Sequence, residues 1–245
     1  MAYYHSKYGY HRRKNKRPAW VRFIFILLTL MIIASLVTAF YVYRIIYKSN
    51  VWIPEGETYS LYIPTGSDFE DVKLILYSNG IIKNRNTFEW LAEKKKYPEL
   101  IKPGHFHVQK DMSNDELINM LRLGKQVPVK VIFNNIRTKE DLAESISAQI
   151  EADSVSMMRL LNDSTHLAGL GLTTETALTL FIPNTYEFYW NSSAEQFFSR
   201  MEKEYREFWT DERKQKAADA GLSQEEVVIL ASIVEKETNK NDEKA

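Results

Sequence analysis

Residues 23–43 read FIFILLTLMIIASLVTAFYVY, twenty-one consecutive positions without a charged side chain. At about 1.5 Å of rise per residue, a helix of that length crosses a hydrocarbon core of about 30 Å. The chain is therefore expected to pass through a membrane once, with its folded part on one side. Trp20 precedes the run, and Tyr41, Tyr43, Tyr47 and Trp52 gather at its far end, where amphipathic rings favour the two interfaces. Lys7, Arg12, Arg13, Lys14, Lys16, Arg17 and Arg22 lie before the run, whereas only Arg44 and Lys48 follow closely. The positive-inside rule then leaves the N-terminus in the cytoplasm and the bulk of the chain outside. A cleaved signal peptide fits less well. Its apolar stretch is usually about 7–15 residues and ends on small side chains, but here YVYRIIYK follows Phe40.

The 32 basic and 32 acidic residues cancel over the whole chain, but not locally. Residues 1–50 hold nine Lys/Arg and no acid, which leaves 23 basic against 32 acidic residues in 51–245. An acidic body disfavours a general nucleic-acid binder, and the basic tail is read as a topology signal. The absence of cysteine excludes disulfides, thiolate metal sites and cysteine nucleophiles, and it suits an extracytoplasmic domain.

Beyond the apolar run, Pro54 and Gly56 suggest a short stalk, and 59–63 a strand ended by Pro64 and Gly66. Ser67 with Glu70 forms a potential capping box for a helix through Val72, Ile75 and Leu76. A second helix starts at Asn86 or Thr87 and uses Phe88, Leu91 and Ala92; a strand follows at 105–108 and a third helix at 114–123, closed by Gly124. A second domain is expected from 127, with a strand at 127–133, helices at 138–150 and 154–161, and the aromatic turn FIPNTYEFYW at 181–190. Ser193 then caps a long helix whose Phe197, Met201, Tyr205 and Phe208 recur at helical spacing and are read as core. The fold class is α+β. The organisation is a basic tail (1–22), a membrane helix (23–43), a stalk (44–56), a small module (57–126) and a larger domain (127–245).

The last helix is the most informative. Gly221 ends the one before it, Ser223 and Glu226 make a capping box, and VVILASIVEKET follows. The helix is apolar nearly all round, so it is expected to be buried. Two acids arrive at its end, Glu237 beside Leu230, Ile233 and Val234, and Glu235 beside Val228 and Ala231. Aliphatic neighbours that desolvate a carboxyl raise its pKa, which suits it to act as a general acid. His105 and His107 alternate onto one face of a strand, which leaves a metal-dependent hydrolase as an alternative. No HExxH motif supports it, and no G-x-S-x-G supports a serine nucleophile.

The run ASIVEKET at 231–238, the approach PNTYEF at 183–188 and the segment SLYIPTGSDFEDVKLILYSNGIIKNRNTFEWL resemble the MltG/YceG family of membrane-anchored endolytic murein transglycosylases. The resemblance runs from the membrane helix to the end of the chain. It implies that the small module is LysM-like, that Glu237 is catalytic, that Glu235 tunes or positions it, and that Asn184 and Tyr186 lie where substrate binds. It also implies cleavage of the β-1,4 bond between N-acetylmuramic acid and N-acetylglucosamine in nascent glycan strands, leaving 1,6-anhydro ends. No metal or organic cofactor is implied. The partners would be peptidoglycan strands, the cell membrane and wall-synthesis proteins. Where the family has Glu-Gly before the aromatic turn and Asp after its Pro, this chain has Leu178-Thr179 and Asn184. Family members continue well past the motif, so residues 127–245 are expected to be an incomplete catalytic domain. A non-catalytic, membrane-anchored wall-binding or division-scaffold protein is the second reading.

Overall fold

The computed structural model describes residues 19–237 except 55 and 135, so most of the predicted tail and Thr238 of the motif lie outside the described residues. The chain divides into two compact units, parted between Lys48 and Ser49. The first holds helix α1, Ala19–Tyr47, which extends the uncharged run by one turn at each end. It is long and apolar enough to cross a membrane. Thr29 and Thr38 donate their hydroxyls to the carbonyls of Phe25 and Ala34, four residues back, so neither needs water.

The second unit opens earlier than the predicted stalk allows. Asn50, Val51 and Ile53 are already buried. The amides of Asn50 and Val51 both donate to the Met112 carbonyl at 3.0 Å, and Trp52 donates to Ile81 at 2.7 Å. The Asn50 side chain donates to the Asn84 carbonyl (2.9 Å) and to Asn114 Oδ1 (2.7 Å) and accepts from the Asn84 amide (2.8 Å). Truncating it removes the hydrogen bonds that this buried side chain makes to the buried Asn114 and to the Asn84 backbone. Asn50→Ala is therefore expected to cost about 2 kcal/mol in denaturant unfolding, whereas a surface-like change of under about 0.5 kcal/mol would contradict this role.

Strands β1 (Thr58–Ile63) and β2 (Gly104–Gln109) pair antiparallel, with Leu61 opposite Phe106. Between them run α2 (Phe69–Ser78) and α3 (Arg85–Lys94), and α4 (Asn114–Leu123) follows. The cap of α2 is Asp68 with Asp71, one residue beyond the predicted pair. A carboxylate accepts amide hydrogen bonds and also suits the positive end of the helix. Likewise Asn84, not Asn86 or Thr87, caps α3. Gly104 has φ +140, a backbone conformation that L side chains rarely adopt, which favours glycine at this start of β2.

The second half of this unit pairs β3 (Val129–Ile132) with β4 (Thr185–Phe188), also antiparallel. Helices α5 (Lys139–Ser147), α6 (Ser154–Leu161), α7 (Ser164–Ala168), α8 (Ala194–Phe208), α9 (Asp211–Asp219) and α10 (Gln224–Glu237) complete it. The stripe on α8 is core, as expected. Phe197 has ring neighbours in Phe181 (5.9 Å), Phe188 (5.2 Å), Phe198 (6.2 Å) and Phe133 (6.3 Å). Between α6 and β4 the chain also forms a 3-10 turn at Ala177–Leu180, after α7. The two halves meet where Thr65 donates its amide and hydroxyl to Glu151 and where the Tyr62 ring lies 5.0 Å from that of Trp190.

Candidate functional site

Helix α10 is started by a full capping box. The Ser223 amide donates to Glu226 at 2.8 Å, and the Glu226 amide donates to Ser223 Oγ at 3.2 Å. Its first turn seats Val227 and Val228 against the core of the second half. The helix packs on α9 and on the 3-10 turn that leads into the Pro183-Asn184 approach to β4. Sequence periodicity predicts burial along the whole helix, and the structure corrects this. Leu230 is 49 % and Ile233 51 % exposed, and Ile229 and Val234 are also open. Periodicity reports which side chains are apolar, whereas burial depends on which other elements cover them.

Glu237, the last residue of α10, is exposed, and so is Glu235. The aliphatic desolvation expected around Glu237 is thus not supplied by the described residues. Asn184 is exposed and accepts the Thr185 amide at 2.8 Å. Tyr186, expected beside it in a substrate groove, is instead buried. Its ring stacks on Phe133 at 5.6 Å, and its hydroxyl donates to the Ile182 carbonyl at 2.6 Å. Burial pushes its pKa upward. Tyr186 therefore holds the turn that presents Asn184. Two hollows, of about 410 and 330 Å³, lie along α8 and between α9 and the start of α10, and neither is lined by Glu237.

The two histidines are placed differently from each other. His105 is buried, with Nδ1 3.1 Å from the Val127 carbonyl, whereas His107 is exposed with its ring edge-on at 4.8 Å. A carbonyl only accepts, so Nδ1 of His105 carries the hydrogen. Tyr62 stacks on the same ring at 4.6 Å. Burial, more than the nearby His107, holds the pKa of His105 below its usual value. Such a base takes up a proton more readily unfolded than folded. Stability is therefore expected to fall as pH drops below about 6.5, the unfolded value. Denaturation midpoints between pH 8 and 5 should show this fall, and His105→Phe should flatten it; an unchanged slope would contradict the assignment. Neither the Asn50 network nor the His166–Glu202 contact at 2.7 Å leaves a local sign in the sequence, because their partners come from distant segments.

The sequence profile of the YceG-like family matches residues 61–245. No curated protein matches the chain. A 2.6 Å crystal structure of a yceG-like protein from Listeria monocytogenes is similar at 22 % identity with a TM-score of 0.46, and the similarity covers 76 % of this chain. It covers 66 % of that protein, just under two thirds.

Proposed function

The chain belongs to the YceG-like family, and from that premise we propose that it is part of a membrane-anchored lytic transglycosylase that cuts peptidoglycan glycan strands internally. The observation that carries this is the family match running through α10, the helix that bears ASIVEKE at 231–237. In this reading α1 spans the cell membrane with the basic N-terminus in the cytoplasm, and residues 49–245 face the wall. The first half of the outer unit is a LysM-like glycan contact, and wall-synthesis proteins are its neighbours.

The reaction needs one carboxyl group. Glu237, protonated, gives its proton to the departing glycosidic oxygen as the bond from the muramyl C1 breaks. As carboxylate it then takes the proton of the muramyl C6 hydroxyl, whose oxygen closes on C1. Water is not consumed, and the acid is restored. Ordinary glycosidases require a second carboxylate for a nucleophile or for water; here the substrate provides the nucleophile. Glu235 positions or tunes Glu237, and Asn184 contacts the strand with Tyr186 holding its turn. The exposed flank of Leu230, Ile233 and Val234 is a surface that a sugar face would cover. Such cover is what raises the proton affinity of a nearby carboxyl.

The test is digestion of un-crosslinked glycan strands by this chain and by a version extended through the family's full domain, with products sorted by length. Mid-length fragments from early time points support internal cutting, while single disaccharides released from ends oppose it. The exposure of Glu237 favours one competing reading, a wall-binding scaffold without catalysis. Strand binding without any fragments from either version would select that reading.

A further inference from the structure

The β1–β2 sheet has one face packed and one face open. Leu61, Ile63, Phe106 and Val108 are buried, and the side chains that alternate with them stand on the other face. Register fixes which these are: Thr58 pairs with Gln109, Ser60 with His107 and Tyr62 with His105. All but His105, which stacks on the Tyr62 ring, are exposed. None is an acid, a lysine or an arginine, although 26 % of the chain is charged. At about 3.3 Å per residue the three pairs extend for about 13 Å.

The Tyr62 end is continued by Trp190, from the second half of the same unit, whose ring centroid lies 5.0 Å from that of Tyr62. Glu151 sets this junction. Its amide donates to the Trp190 carbonyl at 2.7 Å, and its carboxylate accepts the amide and hydroxyl of Thr65, in the turn that follows β1. Rings therefore run from Trp190 through Tyr62 and His105 to His107, at centroid spacings of 5.0, 4.6 and 4.8 Å. Within this row Nδ1 of His105 is engaged by the Val127 carbonyl, and Nε2, left as an acceptor, has no hydrogen-bond partner among the described residues. At such a buried acceptor a donor brought by a ligand is stabilising.

The chemistry of the face narrows what it can hold. Without cations it does not suit phosphate or nucleic acid, and without an aliphatic centre it does not form the apolar core of a protein interface. Rings edged by hydroxyl, imidazole and amide groups match a pyranose, which has C–H faces and a rim of hydroxyl groups. We infer that the open face of the β1–β2 sheet is a saccharide platform, on which Tyr62 and Trp190 stack against sugar rings of a glycan strand while Ser60, His107 and Gln109 hydrogen-bond its hydroxyl and acetamide groups. This rests on the proposed action on glycan strands and deepens it, by assigning the contact to one sheet face. Because Glu151 builds the junction before a ligand arrives, little ordering is left to oppose binding.

The full chain in detergent micelles is titrated by calorimetry with un-crosslinked glycan strands and with the tetramer of N-acetylglucosamine, which carries neither peptide nor carboxylate. Tyr62→Ala is expected to weaken both about tenfold, and Tyr62→Phe, which keeps the ring, less than about threefold. Ser60→Arg places bulk and charge on the open face without touching a buried side chain, and is expected to weaken the tetramer by about tenfold as well. Trp90→Ala removes an exposed ring on α3 and should leave both affinities unchanged. Urea midpoints identify the variants that are folded. If the unsubstituted chain binds and folded Tyr62→Ala and Ser60→Arg bind equally well, the platform is overturned while the cutting reaction stands. A loss at Trp90→Ala as large as that at Tyr62→Ala does the same. An unsubstituted chain that binds neither strands nor tetramer also overturns the platform, and whether the extended protein still releases fragments then decides separately for or against the cutting reaction.

Discussion

Glu237→Gln is expected to remove anhydro-end formation by the extended protein, by roughly a hundredfold to ten-thousandfold, which is the range a single general acid or base supplies. The amide keeps the size and shape of the carboxyl but can neither give a proton to the glycosidic oxygen nor take one from the C6 hydroxyl. Both halves of the proposed cycle fail together. Because Glu237 is exposed, the substitution disturbs no packing, so unfolding in denaturant should be unchanged. The same substitution at Glu235 should leave more activity, since its proposed role is positioning. Equal losses at both positions would mean that the two acids share the proton work, and unchanged product formation by Glu237→Gln would remove it from the mechanism.

The largest stability loss is expected at Phe197→Ala, about 3–5 kcal/mol. Its side chain is fully buried at the centre of a ring cluster that joins α8 to the turn before β4 and to β4 itself. Truncation removes the contacts of Phe181, Phe188 and Phe198 at once, and rings held on separate elements cannot all collapse inward to close the space. Against a typical total of about 5–15 kcal/mol, the domain would stand near its unfolding threshold at growth temperature. Urea titration of the full chain measures the effect; a loss below about 1.5 kcal/mol, the range of a volume-conserving swap, would show that the cluster repacks.

Much of this architecture is legible in the residues because local patterns cause it. The uncharged run gives α1, the capping box at Ser193 and the stripe from Phe197 give α8, and Ser223 with Glu226 starts α10. Errors arise where the decision is not local. Ser67–Glu70 and Asp68–Asp71 are overlapping capping boxes, and the structure uses the second. The predicted stalk is instead built into the fold because Asn50 finds partners 34 and 64 residues further along, a pairing that no short window reveals. At the candidate site, the composition of α10 marks both carboxyls but not their exposure, since that depends on what packs over Leu230 and Ile233. Tyr186 illustrates the same limit from the other side, because an aromatic in a turn reads equally well as ligand platform or core until Phe133 is seen stacked on it.

The central claim is that the sugar's own hydroxyl, and not water, displaces the leaving group under the control of Glu237. Digesting glycan strands in oxygen-18 water with the extended protein, followed by mass spectrometry of the newly formed muramyl ends, tests it most directly. The account predicts ends lighter by one water than a reducing end, without oxygen-18, and absent from the Glu237→Gln digest. New ends that carry oxygen-18 would contradict it and make the protein a hydrolase.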